Sequence, residues 1–415
     1  MGMRPRVVIT GLGVLACNGI GRAAFWDALK NGRSGIRHID RFDASELPCQ
    51  IAGQLWDFNP EDYMKKCVVR NWFRHVHQAI AASRLALEDA HFSNANHKDE
   101  RIAVAMGTSV GSPNEEYEAH QEAYETRGYR NVGKLTSSKF TGHSATVHVT
   151  VDFGFRGPAI TIGSGCATGL DVLGWGLTQI RLGRADAALV GATETPIFPM
   201  SIATACCLGI LSTRNDEPEK AMRPFDQNRD GIVLSEAAVS LVLEREDHAK
   251  ARGAPVLGEV AGLGAATEGQ NPLILDPEGR ALARAVGAAL QDAGMSVNDV
   301  DHIESHGVSL EMYDHSETKA YKRAFGDTVY RIPISAVKSM TGQPYAVAGL
   351  IGAAAALLSL NEGVIPPTLN LDHPDPVCDL DYVPKRPRLN DVNAVLVSAM
   401  SFGGNHGAAI LRRAN

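Results

Sequence analysis

Arg6-Val-Val-Ile-Thr-Gly-Leu-Gly13 returns later in the chain as Gly258-Glu-Val-Ala-Gly-Leu-Gly264, and two further echoes follow in the same order. The run Ile160 to Leu182, apolar residues and then a small-residue turn leading to a helical pattern, is echoed by Ile332-Pro-Ile-Ser-Ala-Val-Lys-Ser-Met-Thr-Gly342 and the apolar residues Val347 to Leu360. The strand-like run Ala237 to Glu244 is matched both by Ala394-Val-Leu-Val-Ser398 and by Ala408-Ala-Ile-Leu411. An ordered series of this kind predicts a duplicated α/β unit, with a first half over residues 1–256 and a second over 257–415. Between the echoes lie polar insertions, Arg37 to Arg70 and Ser112 to Lys139, which are lids, caps or dimer contacts by their length and weak periodicity.

Within the first half, Ile160-Thr-Ile-Gly-Ser-Gly-Cys166-Ala-Thr-Gly169 breaks an apolar run into small residues and presents one cysteine. Leu170, Leu173, Leu177 and Ile180 then recur as one helical face until Gly183. The spacing places Cys166 near a helix N-terminus, where unpaired N–H groups and the positive end of the helix dipole favour thiolate, the nucleophilic form. A structural buried cysteine is the plain alternative. Gly163, Gly165 and Gly169 count against it, since they leave room for close backbone approach.

The chain has 415 residues, 44% of them apolar, and so can bury a large core. A net charge of −7 with basic and acidic residues interspersed leaves no basic stripe for nucleic acid. The seven cysteines, Cys17, Cys49, Cys67, Cys166, Cys206, Cys207 and Cys378, are scattered without metal-type spacing. Neither a disulfide framework nor a metal site is indicated, and a reducing cytoplasm is the expected location. Arg4 and Arg6 ahead of Val7 to Ala16 and Cys17 imitate a short signal segment, but Gly11 and Gly13 interrupt the run and its echo lies mid-chain. The longest apolar stretch, Tyr345 to Leu360, is rich in Ala and Gly, too short for a bilayer span, and reads as a buried core helix.

A cysteine nucleophile needs partners for proton handling and charge stabilisation. Of fourteen histidines most read as surface residues, among them His302 and the pair His75 and His77. His306 differs: Val300-Asp-His-Ile-Glu-Ser-His306-Gly307 puts it at the end of a strand-like run, where side chains of α/β proteins project into clefts.

With these residues in place, the chain resembles a β-ketoacyl-acyl carrier protein synthase of the elongating type, a member of the thiolase-fold condensing enzymes. The likeness runs almost end to end through Val8-Ile-Thr-Gly-Leu-Gly13, the Cys166 elbow, Leu211-Ser-Thr-Arg-Asn-Asp216, Arg223-Pro-Phe-Asp-Gln-Asn-Arg-Asp-Gly231, Ser305-His-Gly307, Val337-Lys-Ser-Met-Thr-Gly342, Pro366-Pro-Thr-Leu-Asn-Leu-Asp372 and Phe402-Gly-Gly404. It implies a five-layer αβαβα sandwich of two duplicated α/β halves, and an acyl transfer to Cys166 from an acyl carrier protein followed by decarboxylative condensation with a malonyl-type extender. Cys166 is then the nucleophile and His306 a catalytic histidine, with the Cys166 and Phe402 N–H groups as an oxyanion hole. Lys338 and Glu317 match a pair supporting the histidine, although as bare residues they read equally as an ordinary ion pair. Phe402 matches a gating aromatic, and Gly403 and Gly404 give its loop freedom to move.

Val110, Phe140 to Val149 and Pro199 to Leu208 occupy acyl-tunnel positions by the same resemblance. The phosphopantetheine comes attached to the carrier, so no metal or separate cofactor is implied. A homodimer or heterodimer with a related subunit is implied, formed through about Ala159 to Gly163.

The departures from the pattern are equally specific. Gln343 stands where elongating members carry a second histidine; its amide donates a hydrogen bond but exchanges no proton. Val308 and Leu310 stand where two threonines contact pantetheine, Gly209 replaces an arginine, Ser235 and Ala237 replace glycines around Glu236, and Met400-Ser401 replaces a phenylalanine-glycine pair before Phe402. A condensing enzyme with an altered Cys-His-Gln site, in a specialised polyketide or fatty-acid-like pathway, is the expected function. An acyltransferase without decarboxylation and a non-catalytic partner subunit shaping chain length are the alternatives; the intact Cys166 elbow counts against the latter.

Overall fold

The computed structural model describes residues 4–92, 99–111 and 115–414, with the side chains of residues 115–120 and 140 outside the description. In the first half the elements that build the layers include β1 (Val7–Ala16), α1 (Arg74–Asp89), β2 (Ile102–Gly107), β3 (Ala159–Ile162), α2 (Thr168–Arg181), β4 (Ala187–Glu194) and β5 (Ala237–Arg245). In the second they are β6 (Gly258–Thr267), α3 (Arg280–Ala293), β7 (His302–Glu304), α4 (Glu311–Phe325), β8 (Ile334–Ser335), α5 (Ala348–Glu362), β9 (Ala394–Met400) and β10 (Asn405–Arg412). Strand order is β3-β2-β4-β5-β1 in one half and β8-β7-β9-β10-β6 in the other, the same pattern twice. Parallel and antiparallel pairings also correspond strand for strand. The two half-sheets join where Val8 and Ile9 pair with Glu259 and Gly258.

The echoed Gly-Leu-Gly segments have a packing cause. A Cβ on Gly13 would lie 2.0 Å from the Ala82 carbonyl oxygen of α1, and one on Gly264 would lie 2.1 Å from that of Ala285 in α3. Each helix therefore lies backbone-close on its strand, and a side chain at either glycine would push it off. Topology also resolves the double match of Ala237 to Glu244. Its strand β5 corresponds to β10, which holds Ala408 to Leu411, whereas Ala394 to Ser398 lies in β9 and corresponds to β4.

The layers follow from where apolar faces go. Helix α1 covers the outer face of the first sheet, and α3, with α4 beside it, covers that of the second. Between the sheets lie α2 and α5, which touch each other and strands of both halves, giving the five-layer αβαβα sandwich of the thiolase fold. Tyr345–Glu362 is long and apolar enough to cross a membrane by length and composition, yet 83% of it is buried within the protein. Its helix α5 is buried at every position from Ala348 to Leu360, which suits a helix enclosed between two sheets.

Three histidines depart from the surface reading. His75, His77 and His302 are buried, at 1%, 8% and 0% exposure. The partly exposed polar neighbours Arg74 and Asp301 concealed this. His75 Nε2 lies 2.8 Å from Ser144 Oγ and His302 Nδ1 lies 2.9 Å from the Pro333 carbonyl. Burial pushes His75 down to about 3 and His77 to about 4. Of the second polar insertion, residues 112–114 lie outside the described residues; the remainder contains the helix Glu115–Arg127.

The glycine contacts are testable by stability. Gly13→Ala and Gly264→Ala are each expected to destabilise the fold by about 1–3 kcal/mol through overpacking, read as a lower thermal unfolding midpoint. Gly287→Ala, in α3 with nothing within 4 Å of its Cβ position, is the control and leaves stability unchanged or slightly raised.

Candidate active site

Two helix starts from the two halves meet at the centre. A Cβ on Gly169, in the first turn of α2, would lie 2.9 Å from the Leu350 nitrogen and 3.0 Å from the Ala346 carbonyl oxygen at the start of α5. One on Gly349 would lie 2.7 Å from Leu170 Cγ. This crossing places the elbow ahead of α2, with Cys166, against the segment ahead of α5, with Gln343. Gln343 Nε2 lies 3.5 Å from Cys166 Sγ, a long contact suited to a sulfur acceptor. The Gln343 backbone is fixed by its N–H to the Val233 carbonyl at 2.8 Å and by its own carbonyl accepting from Ser235 N–H at 3.1 Å. Its Oε1 is buried without a hydrogen-bond partner among the described residues.

Cys166 is buried at 6% exposure, just before the N-cap of α2, as the spacing predicts. Its titration differs from the sequence expectation. Burial pushes the thiol up to about 12, and the Glu194 carboxylate adds to this. The Lys338 ammonium and the Phe402 and Cys166 N–H groups draw it back, without overcoming desolvation. The resting group is therefore a thiol. The helix end does favour the anion, but it acts in a site with little water.

His306, at the end of β7, is fully buried, and neither ring nitrogen has a hydrogen-bond partner among the described residues. Its pKa lies well below the ordinary histidine value because of burial first, then the neighbouring Lys338 and His406 charges. The ring is neutral. Its position is set through the backbone: His306 N–H donates to Glu317 Oε1 at 2.6 Å and to Ser398 Oγ at 3.1 Å, and Gly307 N–H donates to Glu317 Oε2 at 2.8 Å. Tyr321 hydroxyl and Ser398 hydroxyl also donate to Glu317, at 2.6 and 2.8 Å.

Glu317 thus clamps the histidine loop and, among the described residues, forms no direct ion pair with Lys338. Lys338 is fully buried and donates from Nζ to the Ser305 carbonyl at 3.2 Å. Desolvation lowers its pKa, while Glu304 and Glu317 are the leading groups that oppose this.

Phe402 lies half-buried on the loop between β9 and β10, its ring 5.9 Å from Tyr313, which is in turn 5.9 Å from His306. Gly403 and Gly404 have φ of 81° and 76°, so the turn is built on glycine. Val308 is buried, with its N–H held by Asp314 Oδ1 at 3.1 Å, and Leu310 is half-buried at the N-cap of α4. Val110 is 43% exposed beyond the end of β2, with its N–H donating to Glu194 Oε1 at 3.0 Å. Within Phe140 to Val149, the Phe140 side chain lies outside the described residues. The helix Pro199–Cys207 carries the exposed Met200 ahead of the exposed Leu208.

Sequence reasoning missed Glu194, which closes β4. It is fully buried and accepts from Thr108 Oγ1 and from the N–H groups of Ser109, Val110, Gly111 and Ala346 at 2.8–3.2 Å. A single carboxylate thereby ties the Val110 loop to the start of α5. The signal available in sequence was a lone acid ending a strand of small residues. Elsewhere His315, Asp375 and Cys378 converge in a metal-like group. Arg229 donates there to Asp375 Oδ2 at 2.8 Å, beside His315 Nε2, which lies 2.7 Å from the same oxygen, so a guanidinium already supplies the cation.

Residues 4–249 match the family described as "Beta-ketoacyl synthase, N-terminal domain", and residues 257–372 match "Beta-ketoacyl synthase, C-terminal domain". The chain is 38% identical to the tetracenomycin polyketide synthase ketoacyl synthase alpha subunit of Streptomyces glaucescens, over 98% of this chain and 97% of that one. It is 36% identical to 3-oxoacyl-[acyl-carrier-protein] synthase 2 of Coxiella burnetii, over 99% of each. The solved ishigamide ketosynthase/chain length factor superposes with a TM-score of 0.92 at 30% identity, covering 100% of both chains.

The thiol state is open to measurement. Iodoacetamide alkylation read on the Cys166 peptide is expected to rise about tenfold per pH unit between about pH 7 and 10 without a plateau, as thiolate forms. A plateau near neutral pH would show a thiolate already stabilised at rest.

Proposed function

The chain belongs to the β-ketoacyl synthase family of acyl-transferring condensing enzymes, and we propose that it takes an acyl chain from a carrier-protein thioester onto Cys166 and condenses it with a malonyl-type extender. The reading is supported above all by Gln343 Nε2 lying 3.5 Å from the buried Cys166 Sγ, with the Lys338 charge bearing on both Cys166 and the neutral His306. Relatives and solved neighbours named for polyketide synthases and for acyl-carrier-protein synthases agree with it.

In the first step the Cys166 sulfur bonds to the acyl carbon, the carrier thiol departs, and the cysteine proton ends on that thiol. The Cys166 and Phe402 N–H groups hold the developing oxyanion, where fixed donors in a dry site act strongly. In the second step the extender loses its carboxylate as carbon dioxide. The resulting enolate carbon attacks the acyl carbon, the bond to Cys166 sulfur breaks with its electron pair staying on sulfur, and the thiolate takes up a proton from solvent to restore the resting thiol. His306 and the Gln343 amide donate hydrogen bonds to the extender's thioester oxygen as it gains charge. Lys338 and Glu317 act on His306 indirectly, by charge and by holding its loop. Phe402 gates the approach, with Val110 on the acyl side.

Phosphopantetheine is substrate-borne, and the arm meets Val308 and Leu310 rather than hydroxyls, so shape replaces two polar contacts. The halves 1–256 and 257–415 contribute nucleophile and histidine respectively. Pairing with a second subunit, identical or related, runs through β3, an edge strand whose residues Ala159 and Ile160 are exposed. A cytoplasmic location suits its seven free thiols.

Acyl-primed protein is expected to release carbon dioxide from a malonyl carrier, with the acyl mass on the Cys166 peptide beforehand. Acylation without release would select plain acyl transfer, and absence of any acyl label would select a partner subunit. Gln343→Ala is expected to lower condensation by about 100-fold, the scale of one oxyanion donor, while acylation of Cys166 changes little.

A further inference from the structure

The Cys166 amide, one of the two oxyanion donors in the proposed reaction, is already occupied. Its N–H donates to Ser401 Oγ at 3.0 Å. Ser401 is fully buried and stands at the base of the Phe402 loop, its own N–H donating to the Asn405 carbonyl at 2.9 Å and its carbonyl accepting from Gly404 N–H at 3.1 Å. The backbone of residue 401 is therefore pinned on both sides, and the hydroxyl moves only by rotation about χ1 unless the loop itself opens.

The elbow is shaped around this hydroxyl. Gly165 has φ of 69°, and a Cβ there would lie 1.9 Å from Ser401 Oγ. The space beside the nucleophile's amide is thus filled by a serine oxygen that only glycine at 165 admits. An amide buried without an acceptor is unfavourable, so this bond stabilises the resting site. A thioester oxygen seeking the same N–H must displace it, because one N–H in a fixed direction serves one strong acceptor.

We propose that Ser401 is a positioning residue that caps the oxyanion hole at rest, so that acylation of Cys166 requires its hydroxyl to turn away. The proposal rests on the acyl-enzyme reading above. The chemistry is unchanged: sulfur bonds to the acyl carbon, the carbon–sulfur bond to the leaving thiol breaks, and the proton passes to that thiol. What changes is the availability of one donor. Bringing the hydroxyl's displacement into the same event as acyl entry makes the site respond to substrates that are held well enough to move it.

Ser401→Ala and Ser401→Gly remove the competing oxygen. Single-turnover acylation of Cys166 by a simple acyl thioester, read by mass, is expected to quicken by about fivefold in both, the scale of one neutral hydrogen bond. Iodoacetamide alkylation of the same cysteine, which needs no oxyanion hole, is expected to change less than about twofold, so the ratio of the two rates isolates the amide. Equal or slower acylation in the variants, with alkylation retained, overturns the proposal; slower acylation would make the hydroxyl a donor instead. If neither wild type nor variants are acylated while all are alkylated, the acyl-enzyme reading falls and this one with it.

Discussion

Backbone contact between α2 and α5 is the constraint on which the centre of this protein depends. Gly169 and Gly349 remove the side chains that would separate the two helices, and each admits a neighbour from the other half. Because both helices begin at this crossing, their leading segments are forced together, one carrying Cys166 and the other Gln343. Residues from the two halves share a site because the duplicated helices meet at their N-terminal ends. The same enclosure between two sheets removes water and sets the electrostatics.

Those electrostatics are organised by acids that act on the backbone. Glu194, Glu317 and Asp314 are buried, and each is held by N–H donors that it in turn fixes in place. Burial raises Glu194 above the ordinary carboxylate range and lifts Asp314 to about 7, with its backbone and Arg229 contacts opposing the rise. Their common effect is to pin the Val110 loop, the His306–Gly307 turn and the Val308 segment. In the proposed reaction the chemistry is left to uncharged groups: a thiol, a neutral imidazole and an amide. Rigid dipoles in such a setting need little rearrangement when charge develops.

Much of this was legible in the chain. The Cys166 elbow, the strand end at His306 and the apolar α5 all carry local patterns, since each depends on spacing within a few residues. The duplication was legible for a related reason: close packing of helix on strand demands glycine at Gly13 and again at Gly264, which leaves a visible repeat. Partners distant in sequence were not legible. Glu194 binds Ala346, 152 residues away, and Ser401 accepts from Cys166, 235 away. His75, His77 and His302 misled because each stands near a partly exposed polar residue, Arg74 or Asp301, in a short segment that gives no sign of which residues turn inward. The double echo of Ala237 to Glu244 needed strand order to resolve, as adjacent apolar strands in one sheet are alike in composition.

The site also alters how the Gln343 substitution should be weighed. In water a histidine differs from glutamine chiefly by holding a charge and exchanging a proton. Here burial already keeps His306 well below its usual pKa, with Lys338 reinforcing the effect. A histidine at 343, buried at 3% exposure in the same site, would meet the same desolvation and act mainly as a neutral N–H donor. The Gln343 amide supplies that donor and is already aimed at the Cys166 sulfur. Its acceptor, the unpartnered Oε1, repels an incoming oxyanion if the amide turns over, as the unprotonated nitrogen of a neutral imidazole would if the ring turned over. In the proposed reaction selectivity at this position rests on amide orientation rather than on protonation, and the Val233 and Ser235 backbone bonds that fix residue 343 support that orientation.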